Sequence, residues 1–431
     1  MLRRTAYALL VLATLAGTAT ACARTSPDAA TADRARGPIT IWLSNNAQEV
    51  QWGDAMVAAW NKAHPDQHVT AQQIPAGKTS EEAISASIIA GTSACLVFNT
   101  SPAAVPTFQK QNGLVPLSDF PDGDAYIARR SGALADQYRS TDGKFYQLPW
   151  KSNPVMILYN KKLFGKAGLD PNHPQLSTYS QFLRTSRKLV RSGAAQAAIW
   201  PSPSSDFFQP WYDFYPAFAA ASGGRQLVEN GRADFDDPAG RQVAAFWREL
   251  YAEKLAPQEA YPGDSLADGK AAMATVGPWA IAAYKDSVDL GVVPVPTAKG
   301  SSATEPTFSD EKSAAMFSAC RNRATAWDLL KFATSSAEDG RFLQTTGQMP
   351  MREDLTTRYA SYFKANPTYK AFAEQARHVI EVPNVPGSVD IWQAFRDDWT
   401  KSVIFGREST DAALSDASSQ IDKLLNEYEG Q

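Results

Sequence analysis

Apolar strands alternate with amphipathic helices along the first quarter of the chain. Short apolar runs at 39–43, 69–74 and 96–99 predict β-strands, and 53–63 carries apolar residues at helical spacing until Pro65 ends the helix. Strands separated by helices predict an α/β fold built on a mostly parallel sheet. Ligands of such sheets bind beyond the carboxyl ends of the strands, so the polar residues that follow the first and third strands are candidate ligand contacts. These residues are Asn45, Asn46, Gln48, Asn99, Thr100 and Ser101.

The segment 145–159 has the pattern of a strand that passes from one body of structure into another. An extended apolar and aromatic run at 145–150 is followed by a second β-rich run at 155–159. Pro149 and Pro154 exclude a helix through the segment. An interrupted strand pair with an exposed Trp150 between its halves is typical of a crossover between two lobes, beside a cleft. Trp150 and Asn153 are therefore candidate ligand residues.

Aromatic residues cluster on a predicted helix at 205–218. One stripe at helical spacing predicts contacts with the core and contains Phe207, Trp211, Phe214 and Phe218. Tyr212 and Tyr215 belong to a second stripe about a quarter turn away on a helix of 3.6 residues per turn. Aromatic residues on two faces exceed what one core contact requires, so we expect one face to line a cleft.

Three later features add candidate ligand residues. A strand at 272–276 ends in Gly277-Pro278-Trp279, which places Trp279 at the start of a helix beside the predicted cleft. Asp310 and Glu311 offer carboxylates that accept hydrogen bonds from hydroxyls and favour an ammonium-bearing ligand. A solvated, salt-bridged turn is the alternative for these charges. The segment 382–392 leads into a helix that carries Trp392.

Three strings, in this order, resemble the family of extracellular solute-binding proteins that serve ABC importers of maltose-type sugars. They are the crossover followed by Lys161-Lys-Leu-Phe164 and Ala167-Gly-Leu169, the string from Gly269 to Trp279, and the string from Val382 to Trp392. The resemblance covers essentially the whole chain after its leader. It implies a two-lobed periplasmic-binding-protein-like fold of type II, in which each lobe is a mostly parallel sheet flanked by helices and the ligand cleft lies at the hinge.

The resemblance also implies a function and a set of ring-stacking residues. We expect a substrate-binding component that is not an enzyme, needs no cofactor or metal, acts as a monomer, and delivers a carbohydrate to ABC transporter permease subunits. The implied stacking side chains are Trp211 or Tyr212, Tyr215, Trp279 and Trp392. The chain departs from the family at 308–312, where members often have a glycine-rich stretch and this chain has Asp310, Glu311 and Lys312.

The expected division of the chain has five parts. A leader at 1–22 and a flexible tether at 23–37 precede the lobes. The first lobe comprises 38–148 and about 291–325, and the second comprises 149–290 and about 326–431.

The N-terminus predicts export and lipid anchoring. Arg3 and Arg4 precede an uncharged run at 7–21, which has the layout of a secretory signal peptide. The small residues before Cys22 resemble a bacterial lipobox, in which the cysteine becomes the lipidated N-terminus. A plain signal peptide cut near Ala21 or Ala23 is the alternative. We therefore expect an extracytoplasmic protein held at the outer face of the cell membrane through Cys22.

Cys95 and Cys320 are the other cysteines of the chain. Both would lie in an oxidising compartment, where disulfides persist. The resemblance places both in strands of the first lobe. A disulfide between them and two buried free thiols are the two alternatives.

Composition and motifs exclude several functions and leave two alternatives open. A formal net charge of -3 and the lack of a long basic run argue against a nucleic-acid partner. The sequence has no nucleophile elbow, phosphate-binding loop or dinucleotide fingerprint. Glycerophosphodiester or glycerol-phosphate binding is one alternative, with Lys78, Lys151 and Arg352 as phosphate contacts. A secreted carbohydrate-active enzyme is the other, although the adjacent carboxylates of Asp397 and Asp398 point in different directions on a helix.

Overall fold

The computed structural model describes residues 29–77, 79–201, 209–284 and 286–429. The strands, in chain order, are β1 Ile39–Leu43, β2 Val69–Gln73, β3 Leu96–Thr100, β4 Gln147–Ser152, β5 Met156–Asn160, β6 Ala197–Ile199, β7 Val228–Glu229, β8 Arg232–Ala233, β9 Ala271–Val276, β10 Leu290–Val293, β11 Thr307–Phe308, β12 Lys312–Met316, β13 Met349–Pro350 and β14 Val379–Ile380.

The α-helices alternate with these strands. They are α1 Ala29–Arg34, α2 Ala47–Ala63, α3 Ser80–Ala90, α4 Val105–Lys110, α5 Gly123–Ser131, α6 Lys161–Lys166, α7 Tyr179–Arg191, α8 Gln209–Ser222, α9 Pro238–Ala252, α10 Ile281–Tyr284, α11 Arg323–Ala333, α12 Ser336–Thr346, α13 Leu355–Arg358, α14 Ala360–Ala365, α15 Pro367–Gln375, α16 Ser388–Trp399 and α17 Thr410–Glu429.

The first lobe is built on a six-stranded sheet in the order β13-β4-β12-β3-β1-β2. β1 runs parallel to β2 and β3, whereas β12 lies antiparallel between β3 and β4. One face packs on α2, α5, α11 and α12 around Trp52, Phe98 and Phe342. The other face packs on α3 and α4. Both faces are therefore covered, although the sheet is mixed: two of its five strand pairings are parallel and three are antiparallel.

The second lobe is built on a four-stranded sheet in the order β10-β5-β9-β6. One face packs on α7, α8, α9, α16 and α17, and Phe218 and Trp247 lie in this core. The other face packs on α10, α13, α14 and α15. The lobe thus has a separate core on each side of its sheet.

The chain passes between the two sheets at 152–156, 293–312 and 350–355. β4 and β5 belong to different sheets although few residues separate them, and β10 and β12 also belong to different sheets. After β13 the chain enters α13 to α15 of the second lobe. This arrangement confirms the expected two-lobed α/β fold with the lobe junction at the crossovers. The sheets are mixed rather than mostly parallel as expected, because the crossover strands pair antiparallel with their neighbours.

The lobe boundaries differ from the sequence-based division. β4 lies in the first sheet up to Ser152, and β10 lies in the second sheet, beyond the predicted switch near 291. Helices α11 and α12 belong to the first lobe, because Trp327 and Phe342 are buried in its core. The prediction placed the chain from about 326 onward in the second lobe, and that boundary is wrong.

The predicted flexible tether contains a helix. Within α1, Ala32 is buried and Asp33 forms an ion pair with Arg323 at 2.9 Å. Arg36 similarly pairs with Asp328 at 2.5 Å, although both side chains are partly exposed. The segment from 29 onward is therefore packed on α11, and the rest of the predicted leader and tether lies outside the described residues.

Cys95 and Cys320 form a disulfide with a sequence separation of 225. The sequence left a disulfide and two buried free thiols as alternatives, and the structure has the disulfide. Among the described residues, no helix has the length and apolar character needed to cross a membrane.

Candidate ligand site at the lobe junction

A groove of about 790 Å³ separates α3 and α4 of the first lobe from α16 of the second. Its polar lining comes from both lobes. The first lobe contributes Glu81, Glu82 and Lys110, and the second contributes Asp390, Gln393 and Arg396. These groups supply carboxylate acceptors together with amide, ammonium and guanidinium donors. A ligand in the groove would therefore contact both lobes at once.

Tyr428 lies at the edge of this groove and touches both lobes. Its hydroxyl donates a hydrogen bond to Asp390, and the ammonium of Lys110 lies 5.6 Å from the ring centroid. The ring also covers Gly387, whose φ of 76° suits glycine. A Cβ at Gly387 would stand 2.2 Å from a ring atom of Tyr428. The C-terminal helix is therefore fitted against the start of α16.

The crossovers form a buried polar layer beneath the lobes. Asn153 donates through Nδ2 to the carbonyl of Asp310 at 3.2 Å and to Oε1 of Gln348 at 3.1 Å. Gln348 in turn donates to Glu49 at 2.7 Å. Glu49 also forms a buried ion pair with Lys151. Side chains thus tie the first two crossovers, and the residue before β13, to α2 of the first lobe.

Two buried carboxyl groups extend this layer. Glu311 is 1% exposed and Glu381 is 2% exposed. Burial raises the pKa of Glu311 to about 8. Burial, and then the nearby carboxylate of Glu311, raise the pKa of Glu381 well above its ordinary value. Both shifts follow from the cost of removing a carboxylate from water.

Aromatic side chains of the second lobe face the same junction. The ring of Tyr212 lies 6.2 Å from Trp279 and 6.1 Å from Phe308, both in edge-on geometry. Its hydroxyl hydrogen-bonds to Asp310, and burial raises the pKa of Tyr212 well above its ordinary value. Tyr212 and Trp279 are half-buried, so each keeps part of its surface open. They are the predicted stacking residues that can still meet a ligand.

Comparison with known proteins identifies the family. Residues 46–339 match the model described as bacterial extracellular solute-binding protein. This chain belongs to that family.

Relatives and solved structures agree with this assignment. This solute-binding protein is 25% identical to the maltodextrin-binding protein of Bacillus subtilis (strain 168) over 309 residues, which is 68% of this chain and 69% of the relative. It is 26% identical to the diacetylchitobiose binding protein of Streptomyces coelicolor over 338 residues, 74% of each chain. The crystal structure of the cyclic alpha-maltosyl-1,6-maltose binding protein from Arthrobacter globiformis superposes with a TM-score of 0.78 at 21% identity, covering 91% of this chain and 100% of that one. That structure has the same fold.

The predicted residues at the edge of the first sheet have mixed environments. Asn46 is the N-cap of α2, and its side chain accepts from the backbone N–H groups of Gln48 and Glu49. Asn45 and Gln48 are exposed. Asn99 is half-buried with φ of 83°, and Ser101 is buried where the chain turns toward α16. Local structure accounts for Asn46, whereas Asn99 combines an unusual backbone with an accessible side chain at the junction.

Several predicted ligand residues are core residues of this solute-binding protein. Trp150 is fully buried against Trp52 and Phe98, so the expectation that it is exposed is wrong. Tyr215 is also fully buried, and its hydroxyl donates to the carbonyl of Glu381. Trp392 is 3% exposed within the second-lobe core. Each would need a rearrangement of the junction to reach a ligand.

The remaining predicted residues fall into two groups. Asn153, Asp310 and Glu311 lie together in the polar layer, and Gly277 is covered by the ring of Trp279, which a Cβ there would meet at 1.9 Å. Cys22, Lys78 and the side chain of Trp211 lie outside the described residues.

The groove residues were missed by the sequence analysis. None of the predicted ligand residues that the structure describes lines the groove. Asp390, Gln393 and Arg396 repeat every three residues along α16, so they share one polar side of the helix whose apolar side carries Trp392. That repeat was the available signal, but a solvated helix face gives the same pattern.

Proposed function

We propose that this chain is the lipid-anchored substrate-binding component of an ABC importer, and that its lobes close around a carbohydrate, an oligosaccharide or a modified sugar. The observation that carries the proposal is a polar groove lined by both lobes. A ligand that bridges the lobes stabilises the closed form, which a permease can then distinguish from the empty form.

Carbohydrate chemistry fits the side chains at the junction. Hydroxyl groups both donate and accept hydrogen bonds, so they suit a lining that mixes Glu81 and Asp390 with Gln393 and Arg396. The C–H faces of sugar rings pack on aromatic rings such as those of Tyr212 and Trp279. The names of relatives that bind maltodextrin and diacetylchitobiose support the same ligand class.

We place the protein outside the cytoplasm, attached to the outer face of the cell membrane by a lipid on Cys22. Its partners in this proposal are the carbohydrate and the permease subunits, and it acts as a monomer. The ligand is bound and released without cleavage. The lipobox-like residues before Cys22 and the family assignment support this location.

Phosphodiester binding receives less support from the contacts of the candidate cations. Lys151 is buried in its ion pair with Glu49. Arg352 pairs with Asp339 at 3.0 Å and with Asp354 at 3.1 Å. Both cations are therefore engaged by carboxylates. In the groove, Lys110 and Arg396 are balanced by acidic neighbours, which disfavours a phosphate-bearing ligand.

A thermal-shift screen tests the ligand class. A ligand that binds only the folded protein raises the unfolding temperature by mass action. At a ligand concentration of 100 times Kd, the free energy of unfolding rises by about 2.7 kcal/mol. We expect a shift from an oligosaccharide or amino sugar and none from glycerophosphodiesters. Trp279→Ala should lower the affinity for that sugar at least about tenfold. Phe405→Ala, which removes an exposed aromatic ring elsewhere in the second lobe, should leave the affinity unchanged. A shift only from a phosphodiester would contradict the proposal.

A further inference from the structure

Glu381 connects the two lobes. Its backbone carbonyl accepts hydrogen bonds from Tyr215 at 2.6 Å and from Gln226 at 3.2 Å, both in the second lobe. Its carboxylate faces the hydroxyl of Tyr138, in the first-lobe core, at 3.4 Å. Gln137 of the first lobe also accepts from the backbone N–H of Glu381 at 3.1 Å. Separation of the lobes would break these first-lobe contacts and admit water to the carboxylate.

Glu311 lies on the second crossover, with only neutral donors on its carboxylate. The backbone N–H of Trp150 donates to it at 3.1 Å and the hydroxyl of Ser313 at 2.9 Å. The carboxylate of Glu381 likewise accepts from the backbone N–H of Val382 at 2.8 Å. Among the described residues, neither carboxylate has a lysine or arginine within ion-pair distance.

The nearby cations are engaged by other carboxylates. Lys151 forms its ion pair with Glu49, and Lys312 pairs with Asp310 at 2.5 Å. The titratable or charged groups that face the two glutamates from the surrounding elements are Tyr138, Lys151, Tyr212, Tyr215, Asp310 and Lys312. The tyrosines are neutral near pH 7, since burial raises the pKa of each. Two like charges at this site would thus be compensated only in part, by the more distant charges of Lys151 and Lys312.

We propose that closure of the lobes takes up a proton on the Glu311–Glu381 pair, so that the closed form, and with it the bound ligand, is favoured as the pH falls. The inference rests on the lobe closure of the proposed function and adds proton linkage to it. In the open form, water solvates the carboxylates and both ionise freely. In the closed form, one proton shared by the pair removes the repulsion between them.

The direction and size of the effect follow from linkage. Burial at the junction raises the pKa of Glu311 from an ordinary value of 4.5 to about 8. The proposal assigns the ordinary value to the open form, in which water reaches the carboxylate. Proton uptake therefore favours closure fully below the lower value, and the advantage is lost as the pH rises through the upper one. One proton taken up changes the closing equilibrium about tenfold per pH unit within that window.

The distance between spin labels on the two lobes tests the proposal without a ligand. Ala86→Cys on α3 and Asp397→Cys on α16 place exposed labels on either side of the groove, and Cys22→Ser in the full chain prevents labelling elsewhere. We expect the short-distance population to grow as the pH falls from 9 to 6. Glu311→Gln and Glu381→Gln, which imitate the protonated form, should hold that population high at pH 9.

A matched control separates this effect from general acid sensitivity. Glu338→Gln changes another buried carboxyl group whose pKa burial also raises, but it lies on α12 away from the junction. In this variant, the distance between the labels should depend on pH as it does in the parent protein. The proposal would be overturned if the distance between the labels in the parent protein did not change with pH. It would also be overturned if that distance still changed with pH in Glu311→Gln/Glu381→Gln.

The protonation state of the carboxyl groups gives a second measurement, which can be used if the glutamine variants fail to fold. Infrared spectra of the unaltered protein should show a protonated carboxylic acid at pH 7 that ionises above pH 8, and its absence would also overturn the proposal. These readouts need no sugar. A failure of sugar binding together with a pH-dependent label distance would therefore refute the proposed function and leave the proton linkage intact.

Discussion

Arg130 holds the crossovers in place, and its removal should destabilise the protein strongly. Its side chain is 2% exposed, and Nη2 pairs with Asp339 at 2.9 Å. The same guanidinium donates to the carbonyls of Pro149 at 2.6 Å, Trp150 at 2.9 Å and Met351 at 2.9 Å. One cation therefore joins the backbone of β4, just before the first crossover, to the start of the third crossover.

Arg130→Met would leave an apolar side chain of similar length among these groups. Asp339 is fully buried and, among the residues that the structure describes, would keep only Arg352, at 3.0 Å, as a cationic partner. Removing one member of a buried ion pair costs about 3–5 kcal/mol, because the other charge remains in the interior. The three carbonyls lose the guanidinium donor as well, although that of Trp150 keeps the Met351 N–H and that of Met351 keeps the Ser131 hydroxyl. We expect the free energy of unfolding to fall by about 4 kcal/mol, a large share of the 5–15 kcal/mol typical of a protein.

Guanidinium chloride unfolding measures this loss as a shift of the midpoint at constant slope. Arg241→Met is the matched control, because Arg241 pairs with Asp236 at 2.9 Å but its side chain is 46% exposed. A surface pair of this kind contributes about 0–1 kcal/mol. The double variant Arg130→Met/Asp339→Leu should recover part of the loss, since no buried charge remains unpaired. A cost for Arg130→Met equal to that of the control would refute the reasoning.

Three further changes test other parts of the structure. Cys95→Ala/Cys320→Ala should lower the free energy of unfolding by about 2–5 kcal/mol, and an unchanged denaturation midpoint would contradict this. Gly387→Ala should displace Tyr428 and lower the unfolding temperature clearly more than Gly143→Ala, which has a similar φ but open space around it. Asn46→Ala should cost about 0.5–2 kcal/mol by removing the cap of α2, with ligand affinity unchanged; a large loss of affinity would restore Asn46 as a ligand residue.

The order of strands and helices was predictable because it follows from local patterns. The apolar runs at 39–43 and 96–99 coincide with β1 and β3, and the helix before Pro65 is α2, which ends at Ala63. The crossover near Pro154 was also correct, since prolines there leave no alternative to extended chain.

The burial of Trp150 was not predictable from the same run. An extended aromatic stretch has the same sequence pattern in an edge strand and in an internal strand. In the structure, β4 is internal and lies between β13 and β12. The third crossover, at 350–355, has no marker in composition, so α11 and α12 were assigned to the wrong lobe. Core membership of Trp327 depends on long-range packing that periodicity does not encode.

The groove residues were hidden for a different reason. Gln393 and Arg396 have the character of an ordinary solvated helix face, and only the approach of α3 and α4 from the other lobe makes them part of a site. Conversely, Trp392 on the same helix looked like a ligand residue and packs in the core. Polar side chains acquire a binding role here through the juxtaposition of distant segments.

Calorimetric titration of the purified protein with mono-, di- and oligosaccharides, amino sugars and glycerophosphodiesters, followed by recovery of the ligand, tests the central claim most directly. The account predicts saturable binding of one carbohydrate at one site per chain, weakened by Trp279→Ala, with the ligand recovered intact. Cleavage of the carbohydrate, or binding of none of them, would contradict it.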